Sequence, residues 1–568
     1  MSTIDHKTER ANDVNSIKDS THPRKVVVAG PGTGKSFLFS ELIKKKLSEG
    51  KNNFLAITFI GKLSDALADD LCGLAKTQTL HSFARSFVLD HCKGWTYYPR
   101  LHELIAEDLK AEGIESFKIG DENYEKKTKH YKAVGDADVV HYATRICKKD
   151  EKKIPTFDLI VVDEYQDFNG MESEFVDLLA QKNEIVIVGD DDQALYGFKG
   201  SSPSFIRAKY NSDNADWKSF TLRFCSRCPQ VIINYFHALV AHFNLNNHNE
   251  KDVTKRRINK EYICYLTGKS DGKDEDSKAN PKIHLITNCP VGMIAYKVKE
   301  KLYEIIENQK IKDVLVIGEG RTCEALLKMI AQQLKNYGFK NVDYKGDARI
   351  IPVHQNVVDA YKFIAHDDAS LVGWRILGNP VDNAEKTRHL ENAKTMREIV
   401  EATPSKLEKI KFADILLLEE MLEDWGTQDG EAGTDNSDES KAVKRRKQNE
   451  DIRKEILIRE VKRSNLYLPR PLCNFDMTVC NILNSKGLGA DVVFVIGFDQ
   501  GKFPSKTDAT ESEIYQMLVA VTRSKKRIYL INTINSNISG FADSLDTKDL
   551  IVEEIKMQNK KKTRKDQN

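Results

Sequence analysis

A glycine-rich loop between a short apolar run and an amphipathic run constrains this sequence more than any other feature. Lys25–Ala29 reads KVVVA, Ala29–Ser36 reads AGPGTGKS, and Phe37–Leu47 carries apolar residues at helical spacing. A strand, a loop and a helix in this order form a phosphate-binding loop, because the glycines let backbone N–H groups converge on phosphate oxygens. The sequence therefore predicts an α/β domain with a nucleotide site.

The residues of this loop have expected places around the phosphates. Lys35 is expected to bridge the outer phosphates, and the hydroxyl of Ser36 to bind Mg²⁺. Ala29 stands where the usual pattern begins with glycine, which exchanges one small residue for another. The residues predicted to hold the phosphates are Ala29, Gly30, Pro31, Gly32, Thr33, Gly34, Lys35 and Ser36.

Two further apolar runs end in acidic or amide side chains. Phe157–Val162 is followed by Asp163 and Glu164, and Glu184–Val188 is followed by GDDDQ, which ends in Gln193. Continuous β-branched runs favour a parallel sheet buried on both faces, and ligands bind where such strands end. Asp163 is expected to hold Mg²⁺ and Glu164 to orient or deprotonate the attacking water. The amide of Gln193 is expected to sense the γ-phosphate or the water beside it.

A second set of strand-like runs predicts a second α/β domain. These runs are Val314–Ile317, Val492–Ile496 and Ile528–Ile531. Two other regions differ in character. The region from Arg85 to Pro155 favours short amphipathic helices, whereas 351–464 is segregated by charge. Residues 419–440 contain nine acids and no Lys or Arg, and residues 441–463 contain ten bases and four acids.

Length, charge and hydropathy limit the classes of function. At 568 residues the chain is too long for one compact core. Lys+Arg 87 against Asp+Glu 85 leave a net charge of +2, so a polyanion would have to bind locally. No stretch approaches the ~20 apolar residues of a membrane span, and residues 1–30 lack the apolar segment of a secretory signal. We expect a cytoplasmic protein without a membrane partner, associated with the nucleoid if bacterial.

Eight short motifs in order resemble those of the UvrD/PcrA/Rep branch of superfamily 1 helicases. They are AGPGTGKS at 29–36, AITFIGKLSDAL at 56–67, TLHSF at 79–83, VDEYQD at 162–167, GDDDQALYGFKG at 189–200, RCP at 227–229, SKGL at 485–488 and AVTRSKKR at 520–527. The resemblance spans most of the chain. It implies ATP and Mg²⁺ as cofactors, with ATP in the cleft between two domains.

The resemblance also implies the fold class. It is α/β, with two RecA-like P-loop NTPase domains built on parallel sheets, each carrying a mainly helical insertion. The first RecA-like domain is expected over 1–84 and 156–220, with a helical insertion at 85–155. The second is expected over 221–350 and 465–568, with a reduced, partly low-complexity insertion at 351–464.

Further site residues follow from the resemblance. Arg227 and Arg523 resemble the two arginines that the second domain offers to the γ-phosphate. An arginine supplied across a cleft stabilises transition-state charge and makes hydrolysis depend on domain closure. For nucleic acid, the resemblance implies a groove across both domains that contains Phe59, His81, Phe83, Tyr196 and Phe198. Aromatic faces stack on bases of any sequence. Tyr196 and Phe83 could equally be core aromatics.

Three departures from the family pattern concern the nucleoside. Residues 1–28 contain no glutamine to bind adenine, Ser226 stands where relatives carry an aromatic residue, and Gly489 stands where they carry an acid. We therefore expect weak ATP binding or poor discrimination among nucleoside triphosphates, unless Phe224 or the N-terminal segment substitutes.

Together the motifs favour an ATP-dependent 3′–5′ DNA helicase or translocase acting on single-stranded DNA and on single/double-strand junctions, with the polarity taken from the resemblance. An alternative is a DNA-stimulated ATPase, in DNA repair or antiphage defence, that senses DNA or drives a partner and unwinds little. The reduced insertion favours this alternative, because 351–464 is then available to a partner protein. A nuclease fusion is disfavoured because only about 45 residues follow Arg523. A non-catalytic P-loop module is disfavoured because the phosphate-contacting positions are intact. Stacking residues do not distinguish DNA from RNA.

Overall fold

The computed structural model describes residues 6–59, 61–212, 216–245, 250–265, 283–306, 310–320, 323–346, 353–378, 383–402, 475–506 and 508–556. The charged blocks at 419–440 and 441–463 lie outside the described residues. Among the described residues, no helix has both the length and the apolar character needed to cross a membrane.

The elements up to residue 222 mostly alternate between strands and helices. The strands are β1 (Arg24–Ala29), β2 (Phe54–Thr58), β3 (Lys76–Thr79), β4 (Thr96–Tyr97), β5 (Ala133–Val134), β6 (Leu159–Val162), β7 (Ile185–Gly189) and β8 (Lys218–Leu222). The helices are α1 (His6–Asp19), α2 (Lys35–Ser48), α3 (Gly61–Leu71), α4 (Leu80–His91), α5 (Leu101–Ala111), α6 (Glu122–Tyr131), α7 (Val139–Lys149), α8 (Gly170–Leu179) and α9 (Ser204–Asn211).

The elements after residue 222 are again a mixture of strands and helices. The strands are β9 (Phe224–Cys225), β10 (Ile263–Cys264), β11 (Ile283–Cys289), β12 (Asp313–Gly318), β13 (Val342–Lys345), β14 (Asp476–Asn481), β15 (Ala490–Ile496), β16 (Ser524–Thr533) and β17 (Leu550–Glu554). The helices are α10 (Gln230–His242), α11 (Ile294–Ile306), α12 (Glu324–Asn336), α13 (Val353–His366), α14 (Leu371–Ile376), α15 (Asn383–Ala402) and α16 (Glu511–Val521).

A six-stranded parallel sheet organises the first half, in the order β3-β2-β6-β7-β1-β8. Strands β2, β6 and β7 are buried along their whole length and β1 beyond its first residue, as their β-branched sequences predict. Helices α1 and α2 cover one face through Ile17, Leu38 and Ile43, which are fully buried. Because the strands are parallel, the segments that follow β1, β6 and β7 meet at one edge of the sheet.

A seven-stranded parallel sheet organises the second half, in the order β13-β14-β12-β15-β16-β11-β17. Helices α11 and α12 pack on one face, and α10 and α16 pack on the other. Leu195 and Tyr196, from the segment after β7, belong to the same buried cluster as α10 and α16. The two parallel sheets confirm the predicted α/β fold class with two RecA-like domains.

The chain divides into two compact units. The first comprises Met1–Phe83, Cys147–Gly346 and Tyr467–Asn568 and contains both large sheets. The second comprises Ala84–Ile146 and Asp347–Leu466.

The described part of the second unit is mainly helical. Its two segments share one apolar core, in which the ring of Tyr98 meets that of Phe363 edge-on at 5.8 Å. Nε of Arg375 donates to Oδ1 of Asp108 at 2.8 Å, which joins α14 to α5. Two stretches that are distant in sequence therefore fold together.

Candidate active site

The loop after β1 has a conformation and surroundings that favour glycine. Gly32 and Gly34 have φ values of 71° and 97°, in the left-handed region. A Cβ atom on Gly32 would lie 2.3 Å from Cβ of Arg227, and one on Gly30 would lie 2.8 Å from the ring of Tyr262. Neighbouring elements therefore hold the loop closely at the N-terminus of α2, where the helix dipole favours an anion.

Lys35, the first residue of α2, faces the acidic pair that follows β6. Its Nζ donates to Oε1 of Glu164 at 2.6 Å and lies 3.9 Å from Oδ1 of Asp163. Burial lowers the pKa of a lysine, but these two carboxylates raise that of Lys35 to about 12. The amine is therefore charged at neutral pH, as binding to phosphates requires.

The acidic pair is held in a strained turn. Glu164 has a φ of 54°, and a residue other than glycine in this region costs on the order of 1–3 kcal/mol. The N–H of Glu164 donates to Oδ1 of Asp163 at 2.9 Å, and Nε2 of Gln166 donates to Oε2 of Glu164 at 2.5 Å. Burial raises the pKa of Asp163 to about 6. Against the effect of burial, Lys35 and Lys486 hold the pKa of Glu164 well below its usual range, so both carboxylates are mainly ionised at neutral pH.

The carboxamide of Gln193 is bound at both ends. Its Nε2 donates to Oδ2 of Asp190 at 2.7 Å, and its Oε1 accepts a hydrogen bond from Nη2 of Arg523 at 3.1 Å. Because only the nitrogen of an amide can donate, these two partners fix its orientation. Gln193 thereby joins the first sheet to α16 of the second half.

Arg523, just after α16, is almost fully buried, with 1% of its surface exposed. Its Nε donates to the carbonyl of Val519 at 2.9 Å and its Nη1 to that of Leu488 at 3.1 Å. Burial and the neighbouring Arg227 lower the pKa of Arg523 to about 10, which leaves the guanidinium charged at neutral pH. Arg227, just after β9, reaches the same site from another element.

One cavity of about 190 Å³ brings these groups together. Its walls are Pro31, Gly32, Lys35, Ser36, Leu67, Asp70, Asp163, Glu164, Gln193, Arg227, Gly487 and Arg523. The residues predicted as catalytic are all among them, namely Lys35, Asp163, Glu164, Gln193, Arg227 and Arg523. Ala29, Gly30, Thr33 and Gly34 do not line the cavity and instead shape the loop. For example, Oγ1 of Thr33 donates to the carbonyl of Gly30 at 2.8 Å.

The cavity offers oxygen donors that suit Mg²⁺. The hydroxyl-bearing Ser36 and the carboxylate-bearing Asp163 both line it. Mg²⁺ takes oxygen ligands and usually binds through one or two protein groups together with waters and substrate phosphates. A bound divalent ion would also lower the pKa of Asp163 and so offset the effect of burial on it. The predicted ligand pair therefore fits the ion.

Lys486 is a site residue that sequence reasoning missed. It is 5% exposed, and its Nζ contacts Oδ2 of Asp167, lies 3.4 Å from Oε2 of Glu164 and donates to the carbonyl of Gln193 at 2.8 Å. A lysine of the second half thus contacts both segments of the first half that were predicted to be catalytic, the one after β6 and the one after β7. The sequence signal for Lys486 is its place within the SKGL motif at 485–488.

Three of the predicted nucleic-acid residues lie together. The ring centroid of Tyr196 is 5.1 Å from that of Phe59 and 6.0 Å from that of Phe198. Nζ of Lys199 lies 5.4 Å from the ring of Tyr196 and 5.9 Å from that of Phe198. Phe198 is 69% exposed, whereas Tyr196 is 8% exposed. Phe198 is therefore open to a base, whereas Tyr196 is buried beside it and belongs to the core.

Phe83 and His81 have different surroundings. Phe83 is 7% exposed, with ring centroids 6.0 Å from those of both Phe157 and Phe175. A ring packed in this way has no open face for a base. The sequence left open whether Phe83 lies in the groove or in the core, and the structure places it in the core. Half-buried His81 has its Nε2 3.6 Å from Oε1 of Glu172.

The positions that depart from the family pattern contact the protein itself. The N–H and Oγ of Ser226 donate to the carbonyl of Gly32 at 2.9 and 3.0 Å. A Cβ on Gly489 would lie 3.3 Å from Nε of Arg227. Phe224 is 2% exposed and therefore offers no open platform for a base. Burial of Phe224 removes one of the two substitutes that the sequence suggested for the missing nucleoside contacts.

Comparisons with known proteins agree with this geometry. A protein-family profile described as an AAA domain matches residues 14–199, which include the phosphate-binding loop and GDDDQ. The chain is 22% identical over 431 residues to the ATP-dependent DNA helicase PcrA of Staphylococcus epidermidis, a match that covers 68% of this chain and 56% of that protein. It is 22% identical over 427 residues to PcrA of Staphylococcus aureus, with the same shares covered. The chain thus spans little more than half the length of these relatives.

The structure agrees with the sequence similarity to PcrA. It contains two parallel sheets, a phosphate-binding loop at the edge of the first sheet, and a cavity lined by residues of both halves. By sequence and by fold, the chain resembles the UvrD/PcrA-like group of superfamily 1 helicases.

Proposed function

We propose that this protein hydrolyses ATP with Mg²⁺ and uses the energy to move 3′ to 5′ along single-stranded DNA and to unwind duplex at single/double-strand junctions. The observation that supports the proposal most directly is the composite cavity. Lys35, Asp163 and Glu164 of the first sheet share it with Arg227 and Arg523 of the second half. A site divided in this way can couple hydrolysis to relative movement of the two halves.

The residues have separate tasks in hydrolysis. Lys35 and the backbone of the loop hold the β- and γ-phosphates at the N-terminus of α2. Mg²⁺, bound through Ser36 and Asp163, would neutralise charge on the phosphate oxygens. Glu164, kept ionised by two lysines, orients the attacking water and accepts its proton.

The arginines complete the site when ATP is present. Arg227 and Arg523 supply positive charge to the equatorial oxygens of the transferred phosphoryl group, where charge is spread in the transition state. Gln193 hydrogen-bonds to Arg523 in the structure, so it is placed to exchange that partner for the γ-phosphate or the water. Such an exchange would signal the presence of the γ-phosphate to α16.

DNA would bind beside the segment that carries Gln193. Tyr196 and Phe198 are only three and five residues further along the chain, and Lys199 follows them. Stacking of a base on Phe198 and attraction of a phosphate to Lys199 would therefore act on the segment that senses ATP.

The proposed RecA-like domains are 1–84 with 156–220 and 221–350 with 465–568, and the proposed insertions are 85–155 and 351–464.

A second candidate is a DNA-stimulated ATPase that acts as a sensor or drives a partner protein and unwinds little. The chain's span of 56% of the PcrA relatives leaves much of those proteins without a counterpart in the match. In this case the 351–464 insertion would be the surface for the partner.

The test is ATP hydrolysis measured without nucleic acid and with single-stranded DNA, single-stranded RNA or duplex, beside unwinding of duplexes tailed at either end. The proposal predicts hydrolysis stimulated by single-stranded DNA and unwinding of the 3′-tailed duplex. Stimulation without unwinding of either substrate would favour the sensor, and RNA as the better stimulant would change the substrate class. Hydrolysis by Lys35→Ala at the wild-type rate would contradict the assigned site.

A further inference from the structure

Three consecutive aspartates lie in the interior next to the catalytic cavity. Asp190, Asp191 and Asp192 are each 0% exposed, and the catalytic scheme above gives none of them a part in chemistry. Buried carboxylates are costly unless they are paired with cations or hydrogen-bonded. The cation that all three carboxylates share is Lys260, which is 2% exposed. Its Nζ lies 3.0, 2.7 and 2.5 Å from oxygens of Asp190, Asp191 and Asp192.

Two arginines complete the charge balance. Arg257 donates to both oxygens of Asp192 at 2.8 and 2.7 Å, and Arg207 donates to Oδ2 of Asp191 at 2.9 Å. Three carboxylates therefore face three cations, which makes the cluster neutral. The amine of Lys260 lies where a metal ion would bind the three carboxylates, so the cluster is an ion-pair network and not a metal site.

Asp190 connects this network to the catalytic residues. Its Oδ1 is the oxygen that meets Lys260, and its Oδ2 accepts the hydrogen bond from Nε2 of Gln193. Its N–H donates to Oε1 of Gln166 at 2.9 Å, and Gln166 donates to Glu164. The carboxylate of Asp190 thus fixes the orientation of Gln193, and the backbone N–H of the same residue supports Gln166, which hydrogen-bonds to Glu164.

The segment that supplies Lys260 also holds the phosphate-binding loop. The hydroxyl of Tyr262 donates to the carbonyl of Pro31 at 2.5 Å, and its ring lies against Gly30. Residues 257–262 therefore touch both the segment that carries Gln193 and the loop that holds the phosphates. They lead into β10, which pairs with β9 just before Arg227. One short segment is thus in contact with three parts of the site.

We propose that Lys260 is a positioning residue for ATP hydrolysis: its amine fixes Asp190, and Asp190 fixes the carboxamide of Gln193 against Arg523. Lys260 does not line the cavity and touches no reacting atom. This role rests on the proposed ATPase activity and adds a residue from outside the motifs that identify the family.

The test is a double-mutant cycle on the full chain. Steady-state ATP hydrolysis with single-stranded DNA is measured for the wild type, Lys260→Met, Gln193→Ala and the double variant, with thermal unfolding and the stoichiometry of a fluorescent ATP analogue as measures of folding. Lys25→Met is the matched control. Lys25 is also a buried lysine, 1% exposed and paired with Glu184 at 2.8 Å, but it lies at the start of β1, away from the cavity.

The proposal predicts that Lys260→Met lowers kcat by about 10²-fold with little change in the KM for ATP, since misplacing a catalytic group by about 1 Å has an effect of this size. The double variant should be no slower than Gln193→Ala alone, because both changes remove the same positioned amide. Lys25→Met should retain the wild-type kcat. If Lys260→Met does not fold, Lys260→Met with Asp192→Asn restores neutrality and takes its place in the cycle.

Losses that multiply in the double variant would overturn the proposal, because Lys260 would then act independently of Gln193. An equal loss of kcat in Lys25→Met would also overturn it, since any buried lysine would have the same effect. If the wild type hydrolyses ATP and the variants give either of these results, only the positioning role of Lys260 is contradicted. A wild type that does not hydrolyse ATP contradicts the proposed function and this role with it.

Discussion

Glu164→Gln tests the assignment of the base. The substitution keeps the size of the side chain and removes its charge. In the structure, Oε1 of Glu164 accepts from Lys35 at 2.6 Å, and Oε2 accepts from Gln166 at 2.5 Å and lies 3.4 Å from Lys486. A glutamine can offer one carbonyl oxygen to Lys35, but its NH₂ group cannot accept from Gln166 or attract Lys486. The variant therefore loses both the base and one side of its support.

The expected magnitude follows from the role. A positioned general base contributes about 10²–10⁴ in rate, which corresponds to roughly 3–5 kcal/mol of the activation barrier. Nucleotide binding should persist, since Lys35 and the loop remain and one negative charge near the γ-phosphate is gone. Single-turnover hydrolysis and release of a fluorescent ATP analogue separate these steps. We expect hydrolysis slower by 10²–10⁴ with bound nucleotide retained.

The matched control is Glu184→Gln. Glu184 also contacts two lysines, Lys25 at 2.8 Å and Lys46 at 2.7 Å, but it precedes β7 at the far edge of the sheet. Glu184→Gln should therefore hydrolyse ATP at the wild-type rate. Hydrolysis by Glu164→Gln at the wild-type rate, or equal losses in both variants, would refute the reasoning.

Three further predictions concern other parts of the molecule. Arg523→Ala should lower kcat by about 10³-fold or more, the contribution of an arginine to phosphoryl transfer, while ATP binding measured by fluorescence persists; a loss below about threefold would contradict its role. Phe198→Ala should weaken binding of single-stranded DNA by about 1–3 kcal/mol in fluorescence anisotropy, with hydrolysis without DNA unchanged; unaltered affinity would exclude Phe198 from the groove. Asp138, fully buried in the second unit, has its pKa raised by burial to about 6, above its usual 3.8, so the folded state binds more protons and loses stability as the pH rises from about 4 to 6. The difference in unfolding free energy between Asp138→Asn and the wild type should therefore move in favour of the variant by up to about 3 kcal/mol between pH 4 and pH 7.5, as measured by denaturant unfolding. A shift in favour of the wild type over this range would reverse the sign of the argument.

Many residues of the candidate catalytic cavity could be predicted from the sequence, because the sequence shows where each buried strand ends. The runs that became β1, β6 and β7 are continuous and β-branched, and each is followed by the residues that line the cavity. Parallel pairing then places those residues at one edge of the sheet. Arg227 and Arg523 follow elements whose position in the fold no local pattern reveals, so their prediction depended on the family resemblance.

The burial of some residues could not be predicted from the sequence, because their partners are distant along the chain. Lys260 belongs to a stretch of alternating charge that resembles a solvated surface, yet it is almost fully buried against Asp190–Asp192. Likewise, Phe83 stands among motif residues but packs into the core between Phe157 and Phe175. In both cases tertiary contacts decide the burial of a side chain, and residue type does not.

The proposal that ATP hydrolysis is coupled to DNA through a composite site is tested most directly by the rate of ATP hydrolysis as single-stranded DNA is titrated, compared between the wild type and Arg523→Ala. We predict that DNA raises the wild-type rate to saturation and that Arg523→Ala remains at a low rate at every DNA concentration. A wild-type rate that does not respond to DNA, or full stimulation of Arg523→Ala, would contradict the account.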